Sequence, residues 1–109
     1  MNLDAYLAAT DTTAVYPDAG KGNMAELTYL ALGLAGETGE AVDVVKKALR
    51  NDGQMTPDMA LKLAGELGDV LWYWVRLVRA AGFDADGILL ANVGKLAHRK
   101  ASGTLKVRA

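Results

Sequence analysis

At 109 residues the chain has the length of one domain, small enough that a partner subunit commonly helps such a chain bury its apolar surface. Its 12 Lys plus Arg against 13 Asp plus Glu leave a formal net charge of −1, so no broad basic field exists for a nucleic acid polymer or an anionic membrane, and any nucleotide bound is expected to be small. With no cysteine and a single histidine, His98, disulfide frameworks, zinc–thiolate centres and histidine-rich metal sites are excluded, and a metal site must use oxygen ligands.

In chain order, a short helical segment is expected over residues 3–12, followed by the irregular stretch Tyr16-Pro17-Asp18-Ala19-Gly20-Lys21-Gly22. Asn23 and Glu26 have the spacing of an N-cap with its reciprocal acid. They open a second helix that runs to about Leu49, before Asn51-Asp52-Gly53. Thr56-Pro57 places a cap and a first-turn proline at the start of a third helix, closed by Gly82 after Ala81. Asp84 caps a fourth, expected to end near Gly103. Beta-branched residues nowhere alternate with polar ones for long, while helix formers fill the three long segments. The fold class is therefore all-α, a bundle of four to five helices in a single domain over residues 1–109. No charged stretch precedes a long apolar run and no apolar segment reaches the ~18 residues of a membrane span, so the expected address is cytoplasmic.

The second and third helices carry nearly the same heptapeptide, Leu34-Ala35-Gly36-Glu37-Thr38-Gly39-Glu40 and Leu63-Ala64-Gly65-Glu66-Leu67-Gly68-Asp69. Within each copy two acids lie three residues apart, on one helix face. Gly53 lies 13 residues after Glu40 and 13 before Glu66, so an antiparallel hairpin brings all four acids level, about 20 Å from the turn at ~1.5 Å of rise per residue. Between residues 27 and 45 the only other charge is Asp43, and between 63 and 75 there is none. Four carboxylates facing one another in apolar segments repel and are costly to desolvate, so they call for a cation. Magnesium, with manganese as a substitute, takes such oxygen ligands and tends to keep sites open for water and phosphate. Each acid also follows a glycine (Gly36, Gly39, Gly65, Gly68), and a mid-helix glycine costs up to ~1 kcal/mol against alanine, which points to a close approach of helices or of a ligand. The plainer reading is a solvated face with glycines that merely permit packing. It fits one such pair well, and two level pairs in otherwise uncharged segments poorly.

Glu37-x-x-Glu40, a 25-residue spacer and Glu66-x-x-Asp69 resemble the E-x-x-E…E-x-x-D signature of the all-α NTP pyrophosphohydrolases, the superfamily of MazG, dimeric dUTPases and phosphoribosyl-ATP pyrophosphohydrolase. The segments flanking both acid pairs, through Trp72-Tyr73, are similar to the MazG-like core, and Asn92-Val93-Gly94-Lys95-Leu96 resembles its downstream N-x-x-K-L element. The resemblance implies metal-dependent cleavage between the α- and β-phosphates of a nucleoside triphosphate, with Glu37, Glu40, Glu66 and Asp69 as metal-binding catalytic acids. It also implies a homodimer or homotetramer with sites near subunit contacts. Tyr73, four residues after Asp69, matches a position that contacts the nucleoside in relatives, although a core aromatic is an equal reading. Trp72 and Trp74 are expected to face elsewhere, in the core or an interface.

On the fourth helix Asn92, Lys95 and Arg99 fall at i, i+3 and i+7, a polar stripe suited to triphosphate oxygens. The competing reading is a basic helix end answering the helix dipole, and it fits Arg99 best. The same reading suits Lys46, Lys47 and Arg50, with a phosphate role for Lys47 the weaker option. His98 is expected at the surface. Among rivals, a di-iron bundle normally needs Glu-x-x-His pairs, which are absent. A catalytically silent helical module is opposed by the intact acids, and a phosphoribosyl-ATP hydrolase stays within the same superfamily.

Overall fold

The computed structural model describes residues 1–105 and is all-α, with no strand among those residues. Four α-helices follow in order: α1 (Leu3–Thr10), α2 (Met24–Arg50), α3 (Pro57–Ala80) and α4 (Ala85–Ala101). Each opens on a side-chain cap. Asn2 Oδ1 accepts from Ala5 N at 2.8 Å, Asn23 Oδ1 from Glu26 N at 3.0 Å, Thr56 Oγ1 from Met59 N at 3.2 Å and Asp84 Oδ2 from Gly87 N at 3.1 Å. Such a cap contributes about 1 kcal/mol by satisfying a donor that the helix cannot.

The first helix stops earlier than the sequence predicts, giving way to a 3-10 turn over Asp11–Thr13. Hydroxyls of Thr10, Thr12 and Thr13 donate to the carbonyls of Leu7, Ala9 and Thr10, offering the backbone an alternative to a continued helix. At the other end of the chain, α4 stops at Ala101, two residues short of Gly103.

The long helices α2 and α3 make the principal pairing, a hairpin closed by residues 51–56. Its seam buries Leu30, Ala41, Val44 and Ala48 of α2. Near the end of α3, Val75 and Val78 meet Ala85 of α4, with Leu3, Tyr6, Leu7, Trp74 and Ile88 packed around them. Leu30 and Val75 are fully enclosed, each contributing about 1.5–3 kcal/mol by burial. Beyond Ile88 the helix α4 is exposed throughout, and its contacts are with α1 and α3, not α2.

The radius of gyration is 16.7 Å, against about 13 Å for a compact chain of this length, so α4 leaves the hairpin instead of closing a bundle over it. Leu32, Val42, Leu49, Leu61, Leu90 and Val93 are consequently all at least 60% exposed. No helix among the described residues is long and apolar enough to cross a membrane.

Candidate functional site

Three of the four expected acids come together. Carboxylate oxygens of Glu37 on α2 and of Glu66 and Asp69 on α3 lie within 4.8 Å of one another. Glu40, one turn beyond Glu37, stands outside this group and is exposed. Partial burial first, then the charge of Asp69 and the adjoining Glu66 and Glu40, push the Glu37 carboxyl above its ordinary value. Like charges crowded this closely make a site whose unmet need is positive charge, and all-oxygen donors suit a hard divalent cation.

The expected reason for the flanking glycines is not met within the chain. A Cβ added at Gly36, Gly39, Gly65 or Gly68 would meet nothing within 4 Å. The close approach occurs at Gly33, one turn earlier, where an added Cβ would sit 2.5 Å from Cδ1 and 2.6 Å from Cζ of Tyr73, and nearer still to Cε1. The Tyr73 ring thus lies on bare α2 backbone beside the acids, and only glycine at position 33 leaves it room.

A cavity of about 520 Å³ adjoins the carboxylates. Glu37 and Asp69 border it on one side, and Tyr16, Tyr29, Trp72 and Tyr73 supply aromatic walls, with Thr13 and Val15 at the rim. Tyr16 and Tyr29 stack with centroids 5.1 Å apart. Trp72 stands edge-on to both Tyr16 and Tyr73, at 5.9 and 5.1 Å. Burial, and then the neighbouring Tyr29, raise the Tyr73 hydroxyl above its usual range. Trp72, expected to face elsewhere, is therefore part of this cavity. Its indole N–H donates to Thr13 Oγ1 at 2.9 Å, which turns the ring toward residues 10–16. Trp74 does pack against the Val75–Val78 core.

Helical periodicity gave no hint of the charged network beneath the cavity, because its members come from distant segments. Arg76 is 2% exposed. It donates through Nε and Nη2 to the Tyr16 hydroxyl (3.3 and 3.2 Å), and through Nη1 to Thr10 Oγ1 (3.2 Å) and Asp11 Oδ1 (2.5 Å). The Tyr16 hydroxyl donates to Glu26 Oε2 at 2.6 Å. Glu26 also accepts from Gly20 N (2.6 Å) and Gly22 N (2.8 Å), which residues 18–22 present by running through positive φ at Asp18, Gly20 and Gly22.

The reciprocal bond of a capping box is thus replaced, since the Glu26 carboxylate turns away from the Asn23 cap to receive this loop. Burial pushes its carboxyl up, but the bonds from Tyr16, Gly20 and Gly22 and the Arg76 charge outweigh burial and hold it below the ordinary value. With every buried side-chain polar atom partnered among the described residues, the network meets the condition under which buried charge is tolerated.

Asn92, Lys95 and Arg99 lie exposed on α4 beyond its packed first turns, on a helix without contact to α2. Lys47 pairs with Asp43 at 2.9 Å, as does Lys46 at 3.3 Å, and His98 is exposed.

Residues 25–103 match the model of the MazG nucleotide pyrophosphohydrolase domain. The chain is also similar to the Gene 37 protein of Mycobacterium phage L5, at 39% identity over 108 residues that cover 97% of this chain and 95% of that protein. No solved structure matches it. The matched residues run from the first turn of α2 past the end of α4 and include both acid pairs, so the chain belongs to the MazG nucleotide pyrophosphohydrolase family.

Proposed function

We propose that the protein hydrolyses a nucleoside triphosphate at the α–β phosphate bond, giving the monophosphate and pyrophosphate, with magnesium as its physiological ion. The observation that carries this reading is the convergence of Glu37, Glu66 and Asp69 beside a cavity of nucleoside size. These three would hold the ion, with Glu40 completing the acidic set. When bound, the ion supplies neutralising charge to the triphosphate and acidity to nearby water. The chain's part is to orient water and move its proton. Glu40, close to Glu37 but outside the converging group, is assigned the proton-accepting role. Water oxygen adds to the α-phosphorus, its proton passes to the carboxylate, and the bridging α–β bond breaks with its electron pair leaving on pyrophosphate. Tyr73 would meet the nucleoside.

Asn92, Lys95 and Arg99 are assigned to the phosphates. Because α4 diverges from α2, this assignment goes with a homodimer or homotetramer in which α4 of one copy reaches another's acids. The exposed apolar residues along the hairpin and α4 support such an assembly. The reaction is placed in the cytoplasm with the free nucleotide pool.

Hydrolysis in water labelled with oxygen-18 tests the bond cleaved. Label should enter the nucleoside monophosphate with pyrophosphate as co-product. Label in inorganic phosphate, with nucleoside diphosphate alongside, would overturn the reading even if the acids bind metal.

A further inference from the structure

The aromatic cavity has one wall that the acid pairs do not explain. Its outer side is built by Thr13, Val15 and Tyr16, residues that precede the family-matched segment beginning at 25. This stretch has no regular structure after Thr13. It is nevertheless held from beneath by two buried charges. Arg76 on α3 grips Thr10, Asp11 and the Tyr16 hydroxyl, and Glu26 on α2 takes the same hydroxyl together with the loop amides of Gly20 and Gly22. The Arg76 guanidinium also lies 5.7 Å from the Tyr16 ring centroid and 5.9 Å from that of Trp72. Burying two charges is costly even when both are fully hydrogen-bonded, and what the arrangement secures is a fixed position for an irregular segment.

The chemistry exposed to the cavity is specific in kind. The Tyr16 hydroxyl is consumed by one acceptor and two donor atoms of Arg76, and its ring, 8% exposed, is stacked on Tyr29, so Tyr16 holds the wall in place from within; the Trp72 N–H is taken by Thr13, and Trp72 offers chiefly π surface. Val15, 91% exposed, is an apolar side chain presented at the rim. A flat aromatic ligand is what such walls accept. The carboxylates at the inner end fix its orientation, because a polyphosphate drawn there leaves the base of the same nucleotide in the aromatic part.

We propose that residues 13–16 are the base-selecting wall of the site, with Thr13 and Val15 against the nucleobase opposite Trp72, and Tyr16, Arg76 and Glu26 as positioning residues that set their distance from Trp72. The proposal rests on the nucleotide reading above and adds where the choice among bases is made: on a segment that precedes the family match and the acid pairs.

Calorimetric binding of the four deoxynucleoside monophosphates and of tripolyphosphate, each with magnesium, tests it without requiring turnover. The wild type should distinguish the monophosphates. Val15→Ala and Thr13→Val should weaken the best of them about 3- to 10-fold and compress the differences among bases, with tripolyphosphate affinity changed less than about twofold. Tyr16→Phe keeps the ring but cuts its link to Arg76 and Glu26, and should flatten selectivity in a folded chain. Arg76→Lys, which keeps the charge but not the fork, should fall between that variant and wild type. Unchanged monophosphate affinities in folded Val15→Ala and Thr13→Val, an equal loss for tripolyphosphate, or a wild type blind to the base would each overturn the proposal. Base-selective binding lost in these variants, in a protein that releases no pyrophosphate, would uphold the wall and remove the hydrolase reading.

Discussion

Gly33→Ala isolates the contact on which the placement of Tyr73 depends. The added methyl would lie 2.5–2.6 Å from two Tyr73 ring carbons, whereas carbon atoms rest at about 3.5–4.0 Å, so the ring must retreat by at least about 1 Å. Overpacking of this kind costs about 1–3 kcal/mol, and the better helix propensity of alanine returns about 1, leaving a net loss of about 0–2 kcal/mol. In a Tyr73→Ala background the clash is gone and only propensity remains, so the same substitution should stabilise by up to about 1 kcal/mol. The two effects differ in sign, and the double-mutant cycle should return a coupling of about 1–3 kcal/mol. Urea denaturation of wild type, both single variants and the double variant measures it. Gly33→Ala should also raise KM for nucleotide through the displaced ring, with thermal unfolding still cooperative. Additivity within about 0.5 kcal/mol would refute the close approach of Tyr73 to α2.

Glu37→Gln or Asp69→Asn should abolish pyrophosphate release while leaving the chain as stable as wild type or more so, since repulsion is relieved; unchanged turnover in either variant sinks the site. Hydrogen bonds from Arg79 and Arg76 hold the Asp11 carboxyl at about 2, below the ordinary aspartate value of 3.8. Because the folded-state pKa is depressed, this stabilisation is complete above about pH 4 and lost as pH falls toward about 2. Asp11→Asn should therefore narrow the difference in urea midpoint between about pH 5 and about pH 2.5, whereas parallel curves for variant and wild type would clear Asp11 of that role. Light scattering should give two or four times the 11.5 kDa chain mass, and a fully active monomer at nanomolar concentration would refute the assembly. Lys95→Ala should weaken triphosphate use far more than thermal stability, and equal losses in both would make Lys95 structural.

Periodicity and turn chemistry made the hairpin legible because both act locally. Asn23, Thr56 and Asp84 cap the helices they were expected to cap, and the symmetric placement of the acids about Gly53 brings Glu37 level with Glu66 and Asp69. What stayed hidden depends on partners remote in sequence. Arg76 sits in the apolar stretch of α3 with no local motif to mark it, and its partners arrive only when α1 and residues 11–16 fold over it. Glu26 has the spacing of a capping acid, and only the turn through Gly20 and Gly22 redirects its carboxylate. Trp72 is one position from Tyr73 and on a helical wheel faces another way, yet the cavity wraps far enough around α3 to use both. The glycines beside the acids were read as a mark of close contact, but a residue type reports room for an approach without saying which neighbour makes it. On the hairpin helices such a neighbour is found at Gly33, and at none of Gly36, Gly39, Gly65 and Gly68.

The open glycines also bear on motion. Gly36, Gly39, Gly65 and Gly68 weaken the middle of both hairpin helices without a packing contact in the chain to offset the loss, so helix propensity is poorest where the acids sit. Ends secured by caps and a softer centre invert the usual fraying of helices from their termini. Amide exchange in the metal-free chain should then be fast around residues 36–40 and 65–69 relative to the caps. Cation binding, by drawing Glu37, Glu66 and Asp69 together across the hairpin, would slow exchange there first. In such a hairpin a bound ion would act as a clasp as well as a reagent, and local opening around the acids would give a nucleotide a way in and out.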